Sequence, residues 1–224
     1  MRCRLVGSEM CIRDRIILYL MSDAFVEISA ILLAMILRYP LPIIASQILW
    51  INLVSDGFPN LALTVDPARK WIMHQPPKSP QEPLVANWIK KLIALVSILG
   101  GIGCFLIFAY VLNHTNDIHL ARSVAFVTCG INSLVYVFSI RTLGTPMREE
   151  NPFNNKWLLI SVVWGFWFLV APFIFTGLGN FLDIVPIGIY WLHATWIAII
   201  LVAVIEFYKW KFKSEFTAKK RVVA

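Results

Sequence analysis

The chain has 224 residues, of which 58% are hydrophobic and only 15% charged, and its mean hydropathy is +0.71. Soluble domains are about 45–50% apolar and about 25% charged. A disordered chain is therefore excluded and a water-soluble globule nearly so, because a chain this short cannot hide so much apolar surface in one core. The formal net charge is +7, from 20 Lys and Arg against 13 Asp and Glu. The expected fold is an all-α integral membrane protein, and the position of the basic excess then matters more than its size.

Apolar runs long enough to cross about 30 Å of hydrocarbon occur six times. In chain order they cover 16–37, 43–63, 88–112, 121–140, 157–175 and 189–208. The first ends at Arg38-Tyr39-Pro40. Between the second and third lies a polar stretch with Pro67, Pro76, Pro77, Pro80 and Pro83, which reads as an extended loop. A short polar loop, 113–117, follows the third span. A longer one, 141–156, follows the fourth, and a Gly-rich connection, 176–188, follows the fifth. Residues 16–208 are thus expected to form a six-span bundle, with a basic tail at 209–224. Residues 1–15 show no helical apolar stripe and are read as a non-native extension.

An even number of spans puts both termini on one side. Residues 1–15, 65–91, 141–156 and 207–224 together hold eighteen of the 20 Lys and Arg, and only Arg38 and Arg122 fall on the other side. The positive-inside rule therefore predicts a multi-pass protein with both termini and both long loops in the cytoplasm. Trp71, Trp88, Trp157 and Trp210 sit at or beside the cytoplasmic ends, where an aromatic belt belongs. Four cysteines, Cys3, Cys11, Cys104 and Cys129, show no CxxC spacing and are read as unpaired thiols.

Ionisable residues at membrane depth are costly unless partnered, so each is a functional candidate. Asp23 and Glu27 lie four residues apart on one face of the first span, and Asp56 lies within the second. Asn52, Ser55 and Asp56 share a face of that second span and offer an amide oxygen, a hydroxyl and a carboxylate. Pro59 has no N–H for the carbonyl of Ser55, and Gly57 loosens the same turn. A locally opened helix with oxygen donors in mid-membrane is expected. Such backbone is tolerated only when it is buried in protein or lines a cavity. Calcium takes about six to eight oxygens of these kinds. For Asn52 or Ser55 alone, a polar helix–helix contact is the ordinary reading. Together with Asp56, Pro59 and Glu27 they read as a cation site. Asp23 is read as a solvated entrance residue, His193 as an interior or interfacial histidine, and Glu206 as the partner of a nearby base. Gly100, Gly101 and Gly103 offer a flat surface for close helix approach, and Pro172 a kink. Gly130, Asn132 and Ser133 form a polar patch, read as bonding to a neighbouring helix rather than facing the site.

The run from Gln47 through Asn52, Ser55, Asp56, Gly57 and Pro59 to Asp66-Pro67 resembles the sixth membrane helix of calcium-type P-type ATPases. Residues 75–83 resemble the family's RPPRSPKEPL cytoplasmic loop, and Tyr19 to Glu27 resembles the start of its fifth helix. The resemblance implies that the six spans are helices five to ten of a ten-helix cation pump. It assigns Glu27, Asn52, Ser55 and Asp56 as ligands of a transported cation. Calcium is favoured, with manganese, sodium or a proton as alternatives. Two-ion members carry Asn where this chain has Ala24, and Glu near Gly130, so a single-ion pump is implied. DKTGT, TGE and PEGL-like motifs are absent from the 224 residues. ATP and magnesium are accordingly expected to bind only in the remaining domains. The chain is expected to be inactive alone, as a C-terminal piece. Its expected partners are the lipid bilayer and the rest of the pump: four further spans and the actuator, phosphorylation and nucleotide domains. No nucleic acid is expected. Competing readings are a secondary transporter, against which no internal repeat is seen, and a non-transporting membrane scaffold.

Overall fold

The computed structural model describes residues 2–55, 57–65, 87–142 and 155–211, with side chains for 13, 15–53, 57–65, 90–142 and 155–211. Every element among them is helical. They are α1 (Arg2–Ile36), α2 (Ala45–Trp50), a π-helical turn (Ile51–Ser55), α3 (Gly57–Thr64), α4 (Asn87–Thr115), α5 (Ile118–Arg141), α6 (Lys156–Ile174), α7 (Thr176–Leu182) and α8 (Tyr190–Lys211). The proline-rich loop, most of loop 141–156 and the tail beyond 211 lie outside the described residues.

Among the described residues, five helices are long and apolar enough to cross a membrane: Arg15–Ile36, Lys90–Thr115, Ile118–Arg141, Lys156–Ile174 and Tyr190–Lys211. They fall on the first, third, fourth, fifth and sixth expected spans. The expected second span is not one helix but the broken rod α2–π–α3. Residues 2–15, which lack an apolar stripe, continue the backbone of α1. The Gly-rich connection also holds more structure than expected, since it carries the short helix α7.

The helix ends follow from local chemistry. Arg38 takes a left-handed conformation (φ 57°) after α1, and the Tyr39 N–H returns to the Ala34 carbonyl at 2.9 Å before Pro40 forbids continuation. Asp117 caps α5 by accepting from the N–H groups of His119 and Leu120, at 2.9 and 3.2 Å. Asn155 caps α6 through Trp157 and Leu158, and its Nδ2 also donates to the Ala62 carbonyl of α3.

Helix α5 is the central element: 89% of its span is buried within the protein, against 22% for α8. Around it the lipid-compatible faces point outward, with Val163, Trp164 and Trp167 on α6 and Leu192, Trp196 and Ile200 on α8 all exposed. Helix α1 is inverted relative to a helix of a soluble protein. Its buried stripe contains Tyr19, Ser22, Asp23 and Glu27, while Leu20, Met21, Phe25, Ile28 and Leu32 face outward. At the far end of α5, the buried Lys209 of α8 donates to the Ser139 carbonyl, to Thr142 Oγ1 at 3.1 Å and to Glu206 Oε1 at 2.6 Å. Glu206 thus has the basic partner expected for it.

The glycines of α4 act as expected. A Cβ on Gly100 would lie 2.7 Å from Val26 Cγ2 of α1. One on Gly101 would overlap the Ser29 side chain and approach the Ala30 backbone nitrogen to 3.1 Å. Ser29 cannot swing aside without loss, because its hydroxyl donates to the Ser97 carbonyl of α4 at 2.7 Å. Gly101→Ala is therefore expected to destabilise the chain by about 1–3 kcal/mol through overpacking. Thermal unfolding of the purified chain in detergent, followed by gel filtration, measures this, and Ser29→Ala in the same background should recover part of the loss. An unchanged transition in Gly101→Ala would mean that α1 and α4 are not in close contact there.

Candidate intramembrane cation site

The break in the second rod places its polar residues. Trp50 ends α2, and the π turn of Ile51–Ser55 widens the backbone before a new helix starts at Gly57. Single π turns inside α-helices mark places where regular geometry yields to a side-chain requirement. Pro59 is the third residue of α3, within the first turn, where a helix needs no backbone N–H. The helix is thus interrupted ahead of Pro59, and the proline starts the next segment rather than kinking a continuous one.

Asn52 projects from this π turn toward α1. Its Nδ2 donates to Glu27 Oε2 at 2.9 Å and to the Ile48 carbonyl at 3.0 Å. Both amide hydrogens are therefore used, and Oδ1 is left as the acceptor end of the group. Glu27 is 4% exposed. The structure brings together Glu27 and Asn52 of the four expected ligands. The Ser55 side chain and the whole of Asp56 lie outside the described residues. Ser55 is placed only by its backbone in the π turn, one position before Asp56.

The rod is held from the other side by α6 and α7. Gln47 is fully buried and donates to the Leu182 carbonyl at 2.9 Å, while its Oε1 accepts from the Ile44 N–H at 3.3 Å. Trp50 Nε1 donates to the Phe168 carbonyl at 3.2 Å, and the rings of Phe58 and Phe168 stack at 5.8 Å.

Two neighbouring expectations need correction, those for Asp23 and Asn132. Asp23 is not a solvated entrance residue: it is 5% exposed, packed inside the bundle with Glu27. Its place on the α1 stripe that meets α5 buries it. Asn132 does not bond to a neighbouring helix, since neither atom of its amide has a hydrogen-bond partner among the described residues. Its patch also splits. Ser133 faces α1 and bonds to Tyr19 at 2.7 Å, whereas a Cβ on Gly130 would meet the Leu169 side chain of α6. His193 is exposed, beside the rings of Tyr110 and Tyr190.

Sequence reasoning missed two tyrosines and a thiol pair. Tyr19 and Tyr136 are both buried and stack at 6.3 Å. The thiols of Cys104 and Cys129 are free and lie 2.9 Å apart across the α4–α5 contact. The available signal was helical spacing: Cys129, Asn132, Ser133 and Tyr136 fall on one face of α5, as Tyr19, Ser22, Asp23 and Glu27 do on α1.

Residues 40–211 match the family described as Cation transporting ATPase, C-terminus. The chain belongs to this family. It is 35% identical over 151 residues to a calcium-transporting ATPase of Bacillus subtilis, covering 66% of this chain and 17% of that protein. It is 33% identical over 132 residues to a probable cation-transporting ATPase F of Mycobacterium bovis, covering 59% of the chain and 15% of the relative. A third relative, the cation-transporting ATPase pma1 of Synechocystis, is 32% identical over 118 residues, covering 53% and 13%. The chain therefore spans less than a fifth of the length of these relatives. With its five long apolar helices it is an integral, multi-pass membrane domain of a P-type cation ATPase.

The Glu27–Asn52 bond has a measurable consequence. Asn52→Ala removes a charge-assisted donor from a buried carboxylate and is expected to cost about 1–3 kcal/mol. Glu27→Gln in the same background should then cost little more, giving a coupling energy of about 0.5–3 kcal/mol in a double-mutant cycle. Unfolding of the four variants in mixed micelles measures it. Strict additivity would show that the two side chains do not interact.

Proposed function

We propose that this chain is the C-terminal membrane part of an ATP-driven cation pump. In that reading Glu27, Asn52, Ser55 and Asp56 contribute to the site of the transported cation, and calcium is the favoured cargo. The observation that carries the reading is the contact between Asn52, on a π turn, and the buried Glu27 carboxylate of the adjacent helix. A carboxylate of an apolar helix meets an amide whose hydrogens are already engaged, so the amide oxygen remains to face a cation. Hard cations are held by carboxylate, amide and hydroxyl oxygens of this kind. The calcium-transporting relative in Bacillus subtilis supports calcium, and the names of the other two leave the cation open.

The wider organisation belongs to the same proposal. The broken rod 45–64 is the second crossing of a six-span bundle over 16–208, with both termini in the cytoplasm and residues 209–224 a cytoplasmic basic tail. The distribution of Lys and Arg supports this orientation. The energy source, ATP with magnesium, would act in domains outside this chain, together with four further spans. A match to ATPases favours a pump over a secondary transporter or a scaffold.

The test uses the full-length parent in inside-out vesicles: ATP-dependent uptake of radioactive calcium, wild type against Asp56→Asn. Uptake should be lost in the variant while phosphorylation from inorganic phosphate persists. Unchanged uptake would make the Asn52–Asp56 segment structural and overturn the site assignment. Uptake absent even in the wild type, with manganese, sodium or protons stimulating the ATPase instead, would replace calcium as the cargo. Separately, single cysteines introduced at residues 2 and 220 should be protected from an impermeant maleimide in intact cells. Labelling from outside would overturn the orientation.

A further inference from the structure

Gly100 and Gly101 bring α4 against Val26 and Ser29 of α1. One turn further along α4, Cys104 faces α5, where its sulfur lies 2.9 Å from that of Cys129. Both thiols are free, and the two residues are 0% and 2% exposed. Cys104 donates to the Ala125 carbonyl at 3.7 Å, which leaves the hydrogen between the sulfurs to Cys129. Ile102 and Leu106 of the same helix face outward, so the pair lies one helix width from the hydrocarbon.

A cysteine buried alone packs as a small apolar residue. Two that point at each other across a helix contact can also react. A disulfide sets its sulfurs about 2.05 Å apart, so this pair needs to close by only about 0.9 Å. Rotation of the two side chains supplies that movement without shifting either helix. The bond would link positions 25 residues apart and enclose the Asn116-Asp117 connection between α4 and α5.

We propose that Cys104 and Cys129 form an oxidisable dithiol whose disulfide staples α4 to α5. The reagent class is an uncharged organic hydroperoxide dissolved in the bilayer. One thiol sulfur attacks the terminal peroxide oxygen, the O–O bond breaks, and the thiol proton leaves with the alkoxide as an alcohol. The second thiol attacks the resulting sulfenic acid, the S–S bond forms, and the hydroxyl leaves as water with the second proton. Two thiols lose two electrons and the peroxide bond gains them, giving one disulfide, one alcohol and one water. Every reactant and product is neutral, so the apolar surroundings do not penalise the conversion. Burial slows the first step, because thiolate is the better nucleophile, and contact between the sulfurs speeds the second. Burial also keeps charged reductants such as glutathione away, so the disulfide persists once formed. Because α4 is already seated on α1 through its glycines, the staple fixes three helices together. The site goes beyond the pump reading and does not rest on it, because it uses neither Glu27 nor the broken rod.

The experiment uses the whole 224-residue chain in lipid nanodiscs, with Cys3→Ser and Cys11→Ser so that only the pair remains. The chain is treated with tert-butyl hydroperoxide and unfolded, its free thiols are capped with a maleimide, and its intact mass is measured. The expected product has lost two hydrogen atoms, takes up no maleimide, and on digestion yields a peptide linked through Cys104 and Cys129. Its thermal midpoint should rise by about 5 °C or more. Glutathione should reduce it about tenfold or more slower before unfolding than after, because access governs the exchange. Cys104→Ala and Cys129→Ala should each fail to give this product. A product that gains oxygen without losing two hydrogens, a disulfide between two chains, or closure only after unfolding would each overturn the proposal. An unchanged thermal midpoint in the linked chain would overturn the staple, and equal glutathione rates its persistence. The linked peptide is sought in the chain that keeps both cysteines, so the test stands even where an alanine variant misfolds.

Discussion

Two carboxylates on the inward face of α1, Asp23 and Glu27, set the terms for what packs around them. A helix bordering hydrocarbon cannot turn an ionisable group toward lipid without a cost of several kcal/mol. The polar stripe must therefore point into the bundle, and the leucines and phenylalanine of α1 must point out. That inversion places a second polar surface opposite. Helix α5 provides it with Cys129, Asn132, Ser133 and Tyr136, and α5 is accordingly the most enclosed of the long helices. The glycines of α4 let a third helix approach α1 closely enough to cover the stripe from the side. The arrangement is a polar seam on α1 and α5 set within a larger buried apolar cluster, with further apolar side chains facing outward.

Much of the fold was legible in the sequence because hydropathy reports length and composition, which are what the bilayer selects. Five runs became five long helices with ends within a few residues of those expected. Arg38-Tyr39-Pro40 and the capping residues Asp117 and Asn155 stopped or started helices by local chemistry alone. The exception is the second rod. Its apolar run is continuous, so a hydropathy window sees one span, yet the backbone changes from α to π at Ile51. The cause is tertiary: Gln47 and Trp50 are fixed by carbonyls of the α6–α7 region, while Asn52 must meet Glu27 on α1. A widened turn lets adjacent residues serve both demands. Pro59 signalled a break in this rod, but its fixed φ suits the first turn of a new helix, and the interruption fell upstream.

The candidate site was legible to a smaller degree. Glu27 and Asn52 were identified by chemical type, since a carboxylate and an amide at membrane depth are costly to keep without a partner. Their direct bond was not, because spacing within one helix does not fix the rotation of another. Asp23 shows the same gap. Its position near the start of the first span suggested exposure, but rotation of α1 turned it toward α5. Tyr19 and Tyr136 bond Ser133 and Ser22 across the interface, and nothing in the sequence singled out that pairing. Helical spacing puts each set of polar groups on one face, but it does not show which group on one helix meets which on the other.

The proposed transport role requires a site that gains and loses ligands, so its two sides cannot be equally rigid. The α1 side is fixed: the glycine contact with α4, the Ser29–Ser97 bond and the tyrosine–serine pairs to α5 all hold the helix that carries Glu27. The rod side is divided into short segments that rest mainly on α6 and α7, and its hydrogen bond to α1 runs through Asn52. A π turn spans i→i+5 where an α turn spans i→i+4, so returning it to α geometry shifts every downstream residue by about one position around the helix axis. A change at Ile51–Ser55 would thus reorient Asn52 and the residues that follow while Glu27 stays in place. Of its neighbours, α1 packs most extensively against α4, on the side away from the broken rod's α6–α7 support.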